Sequence, residues 1–411
     1  MKAALRHLKR HKGRSLLTLL AVLIPVYTLV FMFGFASANL QDMFETATRL
    51  ESGHFQVRGV SEHETVSTLP LIDDTSDVLS ALDSTDGVEW HTVRLDVPAL
   101  ASVGDRSETI LVQGVEPDTV ARITPIETLI VDGEYLTSGE NGAVLGQGLA
   151  DLLDVRVGGE IVLLGVHPDA AMGVIKVPVV GIYEAPDESM ERSLIQVDLS
   201  SARSLVRRPT AATAILCMVE DVAGPWDVDK IDAVTAALTA QLPDGFEIVD
   251  WRELAPLVLT YMNIMRPVLF IFAASFFVLG ALVVANTLYL SVMERTRELG
   301  LILALGASRA RVMRMILIEA GLITAAGATY GALLGVVLMW IVEAFGGIPL
   351  PTRFAEMFRS LGLSGEIHLS VRAGDVVISA AIMAGVALLA ALIPAWRAAR
   401  FEPVEAMRYV E

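Results

Sequence analysis

The chain has 411 residues, is 53% hydrophobic with a mean hydropathy of +0.56, and carries a formal net charge of −17. That much apolar side chain excludes an ordinary soluble enzyme, while that much acid is unusual for a membrane protein. The two properties must therefore occupy different parts of the chain.

Residues 1–14 hold Lys2, Arg6, Lys9, Arg10, Lys12 and Arg14 with no acid. An apolar run of span length follows, Ser15 to Ala38. A secretory signal peptide shares this basic start and apolar core. This run is longer than a signal core and continues past Pro25 through Phe31 and Phe35, so an uncleaved span over 15–38 is expected.

Residues 39–266 contain 38 Asp and Glu against 14 Lys and Arg, a balance of −24 that leaves the remainder basic. "TSDVLSALDSTDG" has helical spacing and a glycine stop, and "VEWHTVRLDVPALASV" and "SETILVQGV" predict neighbouring strands. "GAVLGQGLADLLDVRVGGEIVLLG" reads as strand, short helix, glycine turn and strand, with "KVPVVGIYEA" and "SLIQVDL" as two more strands. Thr213 to Glu220, a helix over Asp227 to Leu242 and "GFEIVD" predict a βαβ unit. The expected result is an α+β domain. Its histidines His54, His63, His91 and His167 lack ligand spacing, and "SGHFQV" around His54 is expected to be a glycine turn entering a strand. Cys217 is the only cysteine, which excludes an intramolecular disulfide. No catalytic, cofactor or metal residue emerges from this region.

Three more apolar runs follow, at Pro267 to Val292, Met315 to Val342 and Val376 to Ala395. In the third span Gly327, Gly331 and Gly335 stand four apart on one helix face, and the fourth carries Ala380, Ala384, Ala387 and Ala391. Small residues at that spacing permit close helix approach, either among spans two, three and four or across a dimer seam. Polar groups are few. Asn286 lies in span two, Glu343 at the far end of span three, and Glu319 near its start, where Arg314 or Arg311 is the expected partner.

Between spans two and three, residues 293–314 carry Arg295, Arg297, Arg309, Arg311 and Arg314. Span two is expected to run on as helix through "ERTRELGLILAL", with Leu299, Ile302 and Leu303 or Leu305 on one apolar face and Arg295, Arg297 and Glu298 on the polar one. Gly306 should end it, and Ser308 should cap the next helix from Arg309. Basic residues in a first helical turn oppose the helix dipole. Either anionic lipid headgroups or a protein partner would compensate them.

Arg397, Arg400 and Arg408 follow span four. Positively charged short loops stay on the cytoplasmic side, which makes 1–14, 293–314 and 396–411 cytoplasmic and leaves 39–266 and the loop 343–375 outside. The expected fold is an integral membrane α-helical protein with four transmembrane helices, both termini cytoplasmic, and a large extracytoplasmic α+β domain between helices 1 and 2.

The phrase "NTLYLSVMERTRELGLILALGASRARVMRMILIEAGLI", Asn286 to Ile323, resembles the segment joining spans two and three in permease subunits of FtsX-like/MacB-family ABC transporters. The tail, with Pro394, Arg397, Arg400, Pro403, Glu405, Ala406 and Arg408, is similar to the family's ending, and Gly142 to Leu205 resembles part of its outer domain. "SGHFQVRG" after span one resembles the lipoprotein-releasing LolC/LolE branch. The resemblance implies that Glu294, Arg295, Arg297, Glu298, Leu299, Leu305, Gly306 and Arg309 dock an ABC ATPase subunit, with a second permease completing the pair as a homodimer or heterodimer. No GxxxxGK followed by Ser or Thr occurs, so ATP and Mg are expected on the partner ATPase and no cofactor in this chain. Only fourteen residues precede span one, which favours a separate ATPase over one fused at the N-terminus. Lipoprotein release from the cytoplasmic (inner) membrane is the implied function, with membrane lipid, lipoprotein cargo or a periplasmic acceptor as further partners and no nucleic acid. Export of a drug, peptide or lipid, and FtsX-type activation of cell-wall hydrolases, are the alternatives. A membrane-anchored receptor without an ATPase is the reading from a different class.

Overall fold

Uninterrupted apolar sequence of more than about 20 residues satisfies its backbone polar groups most simply as helix. A computed structural model, which describes residues 12–60, 70–165, 172–185, 188–351, 353–355, 366–370 and 372–400, has four such helices. They run Lys12–Thr46, Pro256–Glu294, Arg309–Ala344 and Ala373–Ala399, and each is long and apolar enough to cross a membrane. The chain divides into two compact units, one formed by the described residues of Met1–Asn39, Met262–Pro349 and Glu366–Glu411, the other by those of Leu40–Tyr261 and Leu350–Gly365.

In the helical unit, Val22, Val26 and Val30 of the first helix, Val284 and Leu288 of the second, Ala320 and Ala328 of the third, and Met383, Ala387 and Ala391 of the fourth form one core. The glycine stripe faces the first helix. A Cβ at Gly327 would stand 2.9 Å from the Leu19 carbonyl, one at Gly331 2.6 Å from the Leu23 carbonyl, and one at Gly335 2.8 Å from Val30 Cγ1. At Gly327 and Gly331 only glycine permits that approach of two backbones. The stripe is thus filled within the chain, as the intramolecular alternative expected, but by span one rather than by spans two and four. The alanine stripe meets its intramolecular expectation in part, since Ala387 and Ala391 lie in the same core.

The second unit carries ten strands, β1 (Phe55–Gly59), β2 (Val88–Val103), β3 (Arg106–Val115), β4 (Ile130–Gly133), β5 (Ala143–Gly146), β6 (Glu160–Gly165), β7 (Gly173–Tyr183), β8 (Leu194–Asp198), β9 (Ala214–Val219) and β10 (Phe246–Asp250). In β2 the alternate residues Val93, Leu95, Val97, Ala99 and Ala101 are buried, as one pleated face requires. Strands β2, β3, β8, β5, β7 and β6 pair in that order, and β6 returns to β2, closing a six-stranded ring. Closure removes the ring's unpaired edges.

The first half of β2 leaves the ring to pair with β9, followed by β1 and then β10. β1 is antiparallel to both neighbours, so β9 and β10 run parallel with β1 between them. The predicted βαβ unit is therefore split by a strand that comes from the start of the domain. Phe44 stacks on His54 at 5.6 Å and meets Trp251 edge-on at 5.0 Å, all three buried. His54 Nδ1 accepts a hydrogen bond from the Val219 N–H at 2.9 Å, and burial lowers its pKa to about 4, with Arg49 adding to the effect. That holds the imidazole neutral, and Gly53 at φ 68° turns the chain into β1 as expected. His91 lies 3.7 Å from Asp83 at the surface, while His63 and His167 fall outside the described residues.

Candidate functional site: the turn between the second and third long helices

The second helix does not run through residue 305 as expected. It ends at Glu294, Arg295 adopts φ −104° and ψ 14°, and a separate short helix spans Thr296–Ala304. Two side-chain interactions lie at the break. Thr296 Oγ1 donates to the Met293 carbonyl at 2.7 Å, and Arg295 Nη1 donates to Glu319 Oε2 of the third helix at 2.9 Å. The side chains of Arg295 and Glu319 are each only 14% exposed, which makes this a partly desolvated, charge-assisted contact. Arg295 Nε also lies 3.7 Å from Glu298 Oε2.

The predicted partners of Glu319 are thereby corrected. Arg314 is five residues before it, which places the pair on different sides of the helix, and Arg311 is eight before it, two turns away. Both arginines are exposed instead.

The short helix ends as a Schellman motif. Gly306 has φ 89°, its N–H donates to the Leu303 carbonyl at 3.0 Å, and the Ala307 N–H donates to the Ile302 carbonyl at 3.2 Å. Ser308 then caps the third helix, with Oγ accepting from the Arg311 N–H at 3.3 Å. No acid stands in the first turn of that helix, which leaves Arg309 and Arg311 exposed against its dipole.

The apolar residues of the short helix divide into two faces, where one was expected. Leu299, 2% exposed, and Leu303 point inward, one turn apart, into a cluster with Val292, Val312, Ile316, Ala395 and Ala398. Leu301, Ile302 and Leu305 form a second stripe on the outside, with Leu305 79% exposed. Glu294, Arg297 and Glu298 are exposed beside it. The turn is thus anchored on one side and presents an apolar tip flanked by charge on the other, a surface suited to a protein groove. The missed outward residue, Leu301, carries a sequence signal in its four-residue spacing to Leu305, while Ile302, expected on the same face as Leu299, lies on the outer stripe instead.

Comparison with known proteins covers most of the chain. Residues 15–240 match the MacB-like periplasmic core domain, and residues 270–403 match the FtsX-like permease C-terminal region. The chain is 25% identical to the lipoprotein-releasing system transmembrane protein LolC of Xylella fastidiosa, over 74% of each chain. It is 22% identical to the ABC transporter permease YknZ of Bacillus subtilis, over 100% of this chain and 98% of that one. A macrolide export ATP-binding/permease protein MacB from Shewanella is 23% identical, over 99% of this chain and 60% of its own length.

Proposed function

This chain belongs to the FtsX/MacB family of ABC transporter permeases, and from that premise we propose that it couples ATP hydrolysis on a partner ATPase to movement of the domain between its first and second long helices. The observation that carries this reading is the two-faced short helix, fixed inward by Leu299 and offering Leu301, Ile302 and Leu305 outward. An ATPase groove would bury that stripe, and acids on its rim would offset Arg297, Arg309 and Arg311. Positive-inside bias places the turn in the cytoplasm and the acidic domain outside the cytoplasmic membrane. The ATP and Mg sites belong to a separate ATPase subunit, and a second permease, identical or related, completes the assembly.

Lipoproteins or other lipidated molecules are the proposed cargo, supported by likeness to a relative named for lipoprotein release along three quarters of both chains. Export of a drug or peptide is the second reading, favoured by likeness to a relative named for macrolide export over nearly all of this chain.

The test is affinity capture of the chain from gently solubilised native membranes, with mass spectrometry of what remains bound. Recovery of an ABC ATPase together with lipoproteins is expected, and Leu305→Asp should abolish capture of the ATPase while leaving the chain in the membrane. Repeated absence of any ATPase with intact permease would overturn the coupling reading, and cargo without lipid would move it to export.

A further inference from the structure

Within the helical unit, the second and fourth long helices leave a groove of about 760 Å³ between them, with Phe33 of the first helix at its side. Phe277 and Leu282 line one wall and Ile382 and Ile393 the other, and every lining residue is apolar except Arg266 and Ser379. Those two are the informative ones. Ser379 is 1% exposed, and its hydroxyl has no hydrogen-bond partner among the described residues, a costly state for a buried polar group. No acid among the described residues pairs with Arg266.

The dimensions fit a lipid. Twenty-eight residues of helix separate Arg266 from Glu294, about 42 Å against a hydrocarbon core of about 30 Å, which puts Arg266 at headgroup level on the membrane face opposite the short helix. The wall from Ile378 to Ile393 is about 22 Å long, enough to line the full depth of one leaflet.

We propose that this groove binds a single anionic phospholipid of the bilayer, its phosphate on Arg266, an ester carbonyl accepting from Ser379, and one acyl chain along Phe277, Leu282 and Ile393. The phosphate gives exposed Arg266 an anion and the ester gives the Ser379 hydroxyl an acceptor. A spanning helix of a second copy would fill the apolar walls but leave Arg266 without an anion. The site uses only the spanning geometry and does not depend on the ATPase or the cargo.

Native mass spectrometry of the delipidated full chain, titrated with dioleoyl phosphatidylglycerol or dioleoyl phosphatidylcholine, tests it. The wild type should retain one phosphatidylglycerol in preference to phosphatidylcholine. Arg266→Gln should lower that retention about fivefold, the worth of one basic residue against an anionic headgroup, and Arg266→Lys should restore it. Ser379→Ala should weaken both lipids alike. Equal retention of the two lipids by the wild type, or undiminished phosphatidylglycerol in Arg266→Gln, overturns the proposal. Intermolecular disulfide formation by an Ile382→Cys variant in native membranes would do the same by giving the groove to a second copy. Because no ATPase is present, failure here leaves the permease reading standing, and failure of that reading leaves this site standing.

Discussion

Arg295 and Glu319 show how one residue can change role between a sequence and its fold. Arg295 belongs to the charged run that resembles a docking surface, yet its guanidinium turns inward to the third helix, whereas Arg297 stays exposed. The two arginines should fail differently. Arg297→Glu is expected to reduce ATPase capture, because it alters the surface. Glu319→Gln should keep capture but weaken ATPase-driven movement and lower stability by about 1–3 kcal/mol, the cost of leaving a partly buried charge unpaired. A double-mutant cycle with Arg295→Gln checks this, and full additivity of the two losses would deny the contact. His54 makes a pH-dependent prediction. Its pKa is about 4 in the folded domain against 6.5 when free, so the unfolded chain binds more protons between those values. The stabilisation is complete above pH 6.5 and is lost as pH falls toward 4, by about 3 kcal/mol. Denaturant titrations of the full chain in nanodiscs should show that slope in the wild type and a smaller one in His54→Asn, whose side-chain oxygen can still accept from Val219.

At the scale of elements, two glycine positions carry opposite kinds of constraint. Gly331 is required for space, since its Cβ would fall 2.6 Å from the Leu23 carbonyl on the first helix. Gly331→Leu should therefore separate the first and third helices and lower the thermal midpoint of the full chain, and an unchanged midpoint would remove the close-crossing account. Gly306 is required for conformation, since its φ of 89° closes the short helix in a position with nothing within 4 Å of the added Cβ. Gly306→Val should cost about 1–2 kcal/mol through backbone strain alone and loosen the turn. Hydrogen exchange at Leu305 to Ala307 reads that loosening directly. The short helix itself depends on its buried face, because nine residues are too few to be stable unpacked.

For the whole molecule, sidedness is the proposal on which the functional reading turns, and Cys217 makes it measurable. The native thiol is fully buried, and burial raises its pKa well above the ordinary value, so it is silent to maleimide. A cysteine placed at exposed Asp244 should react with a membrane-impermeant maleimide in intact cells, and one at Ser308 only after permeabilisation; the reverse pattern would invert the orientation. The four apolar helices, most strands, the Gly306 stop and the Ser308 cap were legible in the sequence, because hydrophobic period, span length and capping chemistry act over a few neighbouring residues. So was the family, through the linear motif from Asn286 to Ile323. Which first-helix backbone the glycine stripe would meet was not legible, nor that Arg295 would turn to Glu319, nor that β6 would return to β2 and close a ring. Nor could the sequence show that Ser379 would be left without a partner in a groove that Arg266 also lines. Those outcomes are contacts between residues far apart in the chain, whose energies depend on distance and burial, and only the tertiary structure sets either.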